Sequence, residues 1–353
     1  MNVGYWHLLD NGRLQCDLCP RHCQLSDGQK GLCFVRSRRA DSLVLDTYGR
    51  SSGFCVDPIE KKPLHHFLPG TPVLSFGTAG CNLTCKFCQN WDISKAHHMN
   101  RLADLASPED IVTMAQASRS RSVAYTYNDP VVFLEYAVDC ALACREKNIA
   151  SVAVTAGYIH LKPAERLFAH MDAANVDLKS FSDTFYRQLC GGHLQPVLEL
   201  LEYLIRETPV WVELTTLLIP GANDSVQELN AMTQWIVQHL GPGVPIHFSA
   251  FHPDWKMRDT PPTPLATLIQ ACKIARGNGM QYVYAGNIID RQWGSTYCHK
   301  CDQRLIERSG YILGAWHLDS QGHCPSCQTP CRGIFESKPG TWGARRLPIK
   351  VPH

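Results

Sequence analysis

The sequence has no apolar run that approaches the roughly 18 to 20 residues needed to span a bilayer. Its start, MNVGYWHLLDNGRLQC, also lacks the charged segment and apolar stretch of a secretory signal. We therefore expect a soluble cytoplasmic protein without membrane contact. The sequence has almost no excess of either sign of charge, since 34 Lys and Arg against 32 Asp and Glu leave a net charge of +2. No broad basic face and no nucleic-acid partner are expected, and the locally basic tail GARRLPIK is predicted to be a solvated, loosely ordered end.

Cysteine, in contrast, is abundant, with 17 residues in 353. In a short secreted chain this number would suggest disulfides. This chain is long, has an odd number of cysteines, and groups most of them at the spacings of metal ligands. The pattern favours metal sites in a reducing compartment over a disulfide scaffold.

The segment CNLTCKFCQN, residues 81 to 90, places Cys81, Cys85 and Cys88 at CxxxCxxC spacing. Three thiolates at this spacing can hold three irons of a cubane 4Fe-4S cluster and leave the fourth iron without a protein ligand. A metal with a missing protein ligand is open to substrate. A partial zinc knuckle or three buried thiols is the alternative, but Gly80 before the first cysteine and Phe87 before the last fit the cluster better.

Two further cysteine groups lie on either side of this segment. The first four cysteines are interleaved with Pro and Gly and predict a compact knuckle around zinc or an auxiliary iron-sulfur cluster, which spacing cannot separate. The last four form two CxxC turns joined by two predicted strands, which favours a structural zinc ribbon, with an iron-sulfur cluster as the alternative. These candidate ligands are Cys16, Cys19, Cys23 and Cys33, and then Cys298, Cys301, Cys324 and Cys327.

Between the terminal groups, short β-branched runs alternate with segments of helical composition. This order predicts parallel strands linked by crossover helices, in a complete or partial α/β barrel. We place an N-terminal Cys-rich module and lead-in at residues 1–70, the barrel at 71–290, and a zinc-ribbon-like module with a tail at 291–353. The predicted strands are 73–77, 122–127, 151–155, 175–179, 210–216, 246–251 and 282–286.

In a barrel of this kind, functional residues lie where the strands end and the following loops begin. The polar residues follow this rule. Asp129 follows the second predicted strand, and Asp177 and Lys179 end the fourth. Without a ligand, Asp129 would be a helix N-terminal residue before Pro130, and the other two would be a strand-end ion pair. The remaining cysteines of the helices, Cys140, Cys144, Cys190 and Cys272, are predicted to be packing residues.

CxxxCxxC with an aromatic residue before the third cysteine resembles the radical S-adenosylmethionine (SAM) enzymes. The resemblance implies a partial (β/α)6-type barrel in which SAM occupies the fourth iron. Reductive cleavage of SAM would then yield a 5′-deoxyadenosyl radical that abstracts hydrogen from a substrate. Phe87, Asp129, Asp177, Lys179 and His252 are the residues expected to contact SAM by this resemblance.

Several blocks along the chain resemble, in particular, the radical SAM enzyme of the AmmeMemoRadiSam system, a family related to pyruvate formate-lyase activating enzymes. The blocks include CDLCPRHC, DPIEKKPLHHFLPG, YTYNDP and HFSAFHPDWKM. One departure is Ala156 in VTAGYI, where relatives usually carry Asn. The resemblance implies Memo-like and AMMECR-like partner proteins and an electron donor such as flavodoxin or ferredoxin. The block DPIEKKPLHHF could either line the cleft or cap the barrel.

Three function classes remain open from the sequence. The leading one is a radical SAM enzyme, oxidoreductase- or transferase-like, that acts on an unidentified substrate. The second is an activating enzyme that installs a glycyl radical on a partner protein. The third is a non-catalytic metal-binding or electron-transfer protein whose terminal cysteine sets are its main feature.

Overall fold

The computed structural model describes residues 1–95 and 104–351. The N-terminal part forms short antiparallel strands, arranged as a three-stranded sheet and a hairpin. These strands and the short one that follows are β1 (Trp6–Leu8), β2 (Leu14–Cys16), β3 (Gln24–Leu25), β4 (Arg36–Arg39), β5 (Ser42–Leu45) and β6 (Arg50–Ser51).

A buried ion pair joins this N-terminal part to the rest of the molecule. Arg36 is 1% exposed and Glu135 2%. The guanidinium donates to Glu135 Oε1 at 3.2 Å and to the carbonyl of Val132 at 3.1 Å. Loss of one partner would leave an uncompensated buried charge, so the pair specifies how the first cysteine group packs against residues 132–135.

The central sheet contains all seven strands that the sequence predicts, and they run parallel. Their order along the sheet is their order along the chain, as expected for right-handed strand-helix-strand units. An antiparallel strand, which the sequence did not predict, precedes them. The strands of this sheet described so far are β7 (Phe54–Pro58), β8 (Pro72–Phe76), β10 (Ser122–Tyr125), β11 (Ala150–Thr155), β12 (Ala173–Asp177), β13 (Trp211–Leu218), β14 (Ile246–Ala250) and β15 (Val283–Gly286), with β7 paired to β8. The short strand β9 (Asp104–Leu105) lies outside this sheet and pairs with β6.

Helices connect the parallel strands and cover the outside of the sheet. Two of these helices begin at a serine N-cap, since the hydroxyls of Ser107 and Ser225 accept from the backbone N–H groups of Asp110 and Glu228. In the described part of the chain, none of the helices is long and apolar enough to cross a membrane. The helices are α1 (Trp91–Ser94), α2 (Pro108–Ala117), α3 (Leu134–Arg145), α4 (Leu161–Phe168), α5 (Asp183–Phe185), α6 (Gln195–Glu207), α7 (Val226–His239), α8 (Leu265–Gly277) and α9 (Arg291–Gly294).

The C-terminal cysteines lie on a small antiparallel sheet, as the sequence predicts. Its strands are β16 (Thr296–Tyr297), β17 (Arg304–Ser309) and β18 (Ile312–Trp316). The turn between the last two includes Gly310 at φ +59°, in the left-handed region that favours glycine. The predicted hairpin between the two CxxC turns is confirmed.

The basic tail is not the loosely ordered end that its composition predicts. Its residues form β19 (Leu347–Ile349), which pairs antiparallel with β7 and becomes the ninth strand of the central sheet. Charge composition does not reveal this pairing, because a strand adds to a sheet edge through backbone hydrogen bonds and not through particular side chains. The sheet is therefore an open, mostly parallel partial barrel with two added strands at its β8 edge.

The block that precedes β8 crosses the amino-terminal end of the barrel. There, the fully buried carboxylate of Glu213 accepts the backbone N–H groups of His65 at 3.0 Å and His66 at 2.7 Å. The indole N–H of Trp211 donates to it at 3.0 Å, and His247 Nε2 lies 2.7 Å away. His65 and His66 thus cap the barrel, and His247 is a hydrogen-bonded core histidine.

Glu60 in the same block is buried without a direct cationic partner among the described residues. One carboxyl oxygen accepts the backbone N–H of Gly70 at 2.7 Å, and the other has no hydrogen-bond partner in the described structure. Burial raises the pKa of Glu60 from 4.5 to about 7, although the charge of Arg308 opposes this shift. Glu60 is therefore held in its neutral form more strongly in the folded than in the unfolded protein.

Because the folded pKa of Glu60 exceeds the unfolded value, its stabilising contribution is complete below pH 4.5 and is lost as pH rises through about 7. At about 1.4 kcal/mol per pH unit, we expect Glu60→Gln to exceed the unaltered protein in stability by about 3 kcal/mol at pH 8, with little difference at pH 4.5. Urea unfolding at both pH values measures this. The exposed Glu165→Gln should show no such pH-dependent gain, and a gain equal at both pH values would contradict the prediction for Glu60.

Candidate functional site

A cavity of about 750 Å³ opens at the carboxyl ends of the parallel strands. Its walls include the segment that follows β8, the residues after β10, and the ends of β11 and β12. Polar residues at successive strand ends therefore line one common cavity, and their role in binding SAM stays a prediction. Among the lining residues are Cys81, Cys85, Cys88, Phe87, Asp129, Thr155, Ala156, Asp177 and Lys179.

The loop with the three cysteines is packed closely on both sides, and glycines make this possible. Gly80 has φ +82°, and a Cβ there would lie 2.2 Å from the carbonyl oxygen of Cys33. A Cβ on Gly77 would lie 2.3 Å from the carbonyl oxygen of Thr126. The N-terminal cysteine group thus contacts the Cys81 loop directly, and no side chain fits at either glycine.

Asn128 positions this loop, a role that the sequence analysis did not assign. Its amide donates to the carbonyls of Ala79 and Gly80, both at 2.9 Å, and its Oδ1 accepts the N–H of Thr78 at 3.0 Å. The side chain is buried. Its place in YTYNDP, one residue before the predicted ligand Asp129, was the available signal.

The environment of Cys85 favours its thiolate form, which is the form in which a cysteine can bind a metal. A hydrogen bond from Cys190 lowers the pKa of Cys85 to about 7 against the opposing effect of burial, and the charges of Lys179 and Lys95 act in the same direction. Cys190 is fully buried, as predicted for a packing residue, but it also contacts Cys85. Burial raises the pKa values of Cys81 and Cys88.

Asp129 has the helix N-terminal role considered from the sequence, and its contact with SAM stays a prediction. Its carboxylate accepts the N–H of Val131 at 3.0 Å and so caps the short 3-10 helix Pro130–Phe133. It also accepts the hydroxyl of Thr155 at 2.8 Å and the N–H of Ala156 at 2.9 Å. Burial raises its pKa, and these hydrogen bonds oppose the rise. Asp129 is thereby held rigidly at the cavity wall.

Asp177 and Lys179 form the strand-end ion pair that their i, i+2 spacing predicts, with Lys179 Nζ donating to Asp177 Oδ2. Asp177 remains 31% exposed and Lys179 16%, so the cavity reaches both. Burial alone would lower the pKa of Lys179, but Asp177 and Cys85 outweigh burial and raise it. Lys179 is therefore a fixed positive charge beside the Cys81 loop.

The other two predicted SAM contacts differ in placement. Phe87 is buried, lines the cavity, and packs against Phe185 with ring centroids 5.7 Å apart. His252 is exposed and is not among the residues that line the cavity. Its contact with SAM stays a prediction.

The terminal cysteine sets lie outside this cavity. In the C-terminal set, Cys298 and Cys327 lie 3.6 Å apart, as do Cys301 and Cys324, and all four sulfurs lie within 4.8 Å of one another. Tetrahedral Zn–S bonds of about 2.3 Å require sulfurs about 3.8 Å apart, so these residues fit a closed four-thiolate site. The N-terminal four, Cys16, Cys19, Cys23 and Cys33, surround a separate small cavity.

Comparison with known proteins relates this architecture to characterised chemistry. The model of the radical SAM superfamily matches residues 76–232. The uncharacterized protein MJ0808 of Methanocaldococcus jannaschii is 39% identical over 311 residues, which cover 88% of this chain and 92% of that protein. The 4-hydroxyphenylacetate decarboxylase activating enzyme of Clostridioides difficile is 20% identical over 245 residues, 66% of this chain and 74% of that enzyme.

A solved structure shows the same fold. Streptococcus suis SuiB bound to the precursor peptide SuiA superposes with a TM-score of 0.50 at 13% identity, over 66% of this chain and 54% of that one. The parallel sheet, the matched residues around the Cys81 loop, and the extended similarity to these proteins agree with one another. This chain belongs to the radical SAM superfamily and is related to the activating enzymes within it.

Proposed function

We propose that this protein cleaves SAM reductively at a 4Fe-4S cluster held by Cys81, Cys85 and Cys88, and uses the resulting radical to abstract hydrogen from a substrate. Membership of the superfamily implies the cluster and SAM. The observation that carries the proposal is the single cavity shared by these cysteines with Asp129, Asp177 and Lys179. Three thiolates leave one iron open, and the neighbouring polar groups are suited to SAM.

When bound, the reduced cluster supplies the electron that splits SAM into methionine and the 5′-deoxyadenosyl radical. The residues of the chain hold the reactants. Asn128 fixes the backbone before Cys81 through its bonds to Ala79 and Gly80. Asp129 offers carboxylate oxygens for the SAM amino group, and Lys179 offers a positive charge for the SAM carboxylate. Phe87 adds an apolar wall beside the ligand cysteines.

The proposal also includes the class of substrate and the partner proteins. The similarity to an activating enzyme, and to a structure that holds a precursor peptide, supports a protein or peptide substrate and the second candidate function, glycyl-radical installation. We retain the AmmeMemoRadiSam assignment, with Memo-like and AMMECR-like partners, as part of the proposal. The electron would come from a flavodoxin or ferredoxin in the cytoplasm.

The direct test is anaerobic reconstitution of the protein with iron and sulfide, followed by reduction in the presence of SAM. We expect methionine and 5′-deoxyadenosine, measured by liquid chromatography and mass spectrometry. If the iron and sulfide content shows an intact cluster and yet neither product forms, the proposed function is wrong.

The terminal cysteine sets lead to a prediction about metal content. We propose zinc at the C-terminal set, where the sulfur spacing fits a single ion, and zinc or an auxiliary iron-sulfur cluster at the N-terminal set. Replacing Cys298 and Cys301 by Ala should remove about one zinc per chain and lower thermal stability, because a structural metal contributes its binding free energy to folding. Elemental analysis and thermal unfolding measure both.

A variant with Cys81, Cys85 and Cys88 replaced by Ala provides the matching analysis for the N-terminal set. Iron that persists in it at about four atoms per chain would assign an auxiliary cluster to the N-terminal set, and additional zinc would assign zinc. Unchanged zinc content after replacement of Cys298 and Cys301 would contradict the C-terminal assignment.

A further inference from the structure

A second part of the cavity is not explained by the cluster or SAM. Beside β7 and β19, its wall is made by Lys61, Lys62, Tyr127, Tyr311 and Arg346. They come from the block before β8, the loop after β10, the C-terminal sheet and the tail. We call this part the basic pocket.

The basic pocket is built around one buried carboxylate. Asp57 is fully buried, and Lys62 Nζ donates to it at 2.7 Å and Lys61 Nζ at 3.0 Å. The hydroxyl of Tyr127 donates to it at 2.7 Å, and Arg346 Nε lies 3.9 Å away. Three cations therefore surround a single acidic group, which leaves an excess of two positive charges at this wall.

The acidic side chains elsewhere in the cavity do not cancel this excess locally. Asp177 is engaged by Lys179, and Asp129 is engaged by Thr155 and two backbone N–H groups. Asp92 also lines the cavity and lies on α1, which follows the Cys81 loop. The basic pocket thus differs in sign from the rest of the wall.

Lys62 is the least exposed of the three cations, with 3% of its side chain accessible. Burial lowers its pKa from 10.5 to about 8, and the charge of Asp57 opposes this effect. The ammonium is therefore mostly charged at neutral pH but poorly solvated, and a second anion would stabilise it. Lys61 and Arg346 are 30% and 63% exposed, so a ligand can reach them from the cavity.

We infer that the basic pocket binds an anionic group of the substrate, a carboxylate or a phosphate, and so positions the substrate against SAM in the same cavity. This inference rests on the proposed function for the identity of SAM as the neighbouring ligand. Lysine and arginine at one wall suit oxyanions through charge-assisted hydrogen bonds. Lys61 and Lys62 thus line the cleft, while His65 and His66 of the same block cap the barrel.

The test uses inorganic phosphate and succinate as probes, titrated calorimetrically into the reconstituted protein with SAM present. The double variant Lys61→Gln/Arg346→Gln should bind the probe at least about tenfold more weakly, since a charged hydrogen bond contributes about 1.5 to 3 kcal/mol. Lys61→Arg/Arg346→Lys keeps both charges and should restore most of the affinity. Phosphate binding alone would assign a phosphate group, succinate binding alone a carboxylate, and both a site for either anion.

The matched control is Lys162→Gln/Arg345→Gln, which also removes one lysine charge and one arginine charge, but at residues that do not line the cavity. Lys162 is exposed on α4, and the Arg345 guanidinium lies over the Trp342 ring at 4.3 Å. The affinity of this control variant for the phosphate or succinate probe should equal that of the unaltered protein. Absence of binding to the unaltered protein, or equal affinities of the two glutamine variants, would overturn the inference. Formation of 5′-deoxyadenosine by the unaltered protein is measured separately, so its absence would count against the proposed function and not against the basic pocket.

Discussion

Replacing Cys81, Cys85 and Cys88 together by Ala will reduce 5′-deoxyadenosine formation to the level of a reaction without protein. The three thiols line the cavity with the groups proposed to hold SAM, and a cubane cluster has no other anchor on this loop. The loop itself should keep its position, because Asn128 holds the backbone of Ala79 and Gly80 independently of the cysteines. The assay is product formation under reducing, anaerobic conditions.

A matched triple variant separates loss of the cluster from loss of cysteine in general. Cys140, Cys144 and Cys272 are fully buried on α3 and α8 and do not line the cavity. Their replacement by Ala should lower stability modestly and leave SAM cleavage in place. Equal loss of cleavage in the two triple variants, both folded, would contradict the assignment of the cluster to the Cys81 loop.

Replacing Glu213 by Ala will destabilise the protein by about 3 to 5 kcal/mol, as removal of one partner from a buried charged network does. The carboxylate is fully buried and accepts from two backbone N–H groups and the Trp211 indole, beside His247. Burial would raise its pKa, but these contacts, led by His247, hold it at about 2. Its charge therefore stabilises the fold above pH 4.5, and this contribution is lost as pH falls through about 2.

Two further variants serve as comparisons for the predicted effect of Glu213→Ala on stability. Glu213→Gln keeps the shape and one acceptor oxygen, and it should cost less than Glu213→Ala, about 1.5 to 3 kcal/mol. The exposed Glu199→Ala should change stability by less than about 0.5 kcal/mol. Denaturant unfolding at fixed metal content gives these differences. A loss below about 1 kcal/mol for Glu213→Ala would show that the network contributes little.

The parallel strands were predictable because each is a short run of β-branched and apolar residues bounded by helical segments. It was also predictable that Asp129, Asp177 and Lys179 would line one cavity, since each lies at a strand end and the carboxyl ends of parallel strands share one edge. These features depend on local pattern and on one geometric rule. They are the features that a single sequence encodes most directly.

The remaining features depend on contacts between distant segments. Neither β7 nor β19 carries a strong local signal, and their pairing joins Phe54, Cys55 and Val56 to residues 347–349, which are far away along the chain. The basic pocket is assembled from four such segments, so neither Lys61 nor Arg346 stands out in the sequence. His252 is exposed and is not among the residues that line the cavity, so its contact with SAM stays a prediction.

The pairing of β19 with β7 also determines the order in which the protein can be completed during synthesis. Leu347 pairs with Val56, so β19 cannot join the sheet until the chain has been synthesised past Ile349. Contacts between such distant residues form late because their loop-closure entropy must first be overcome. The strands that follow the Cys81 loop can pair earlier, one unit after another. The wall of the cavity beside β7 and β19, which carries the basic pocket, therefore closes last, after the parallel strands that hold the other walls have paired.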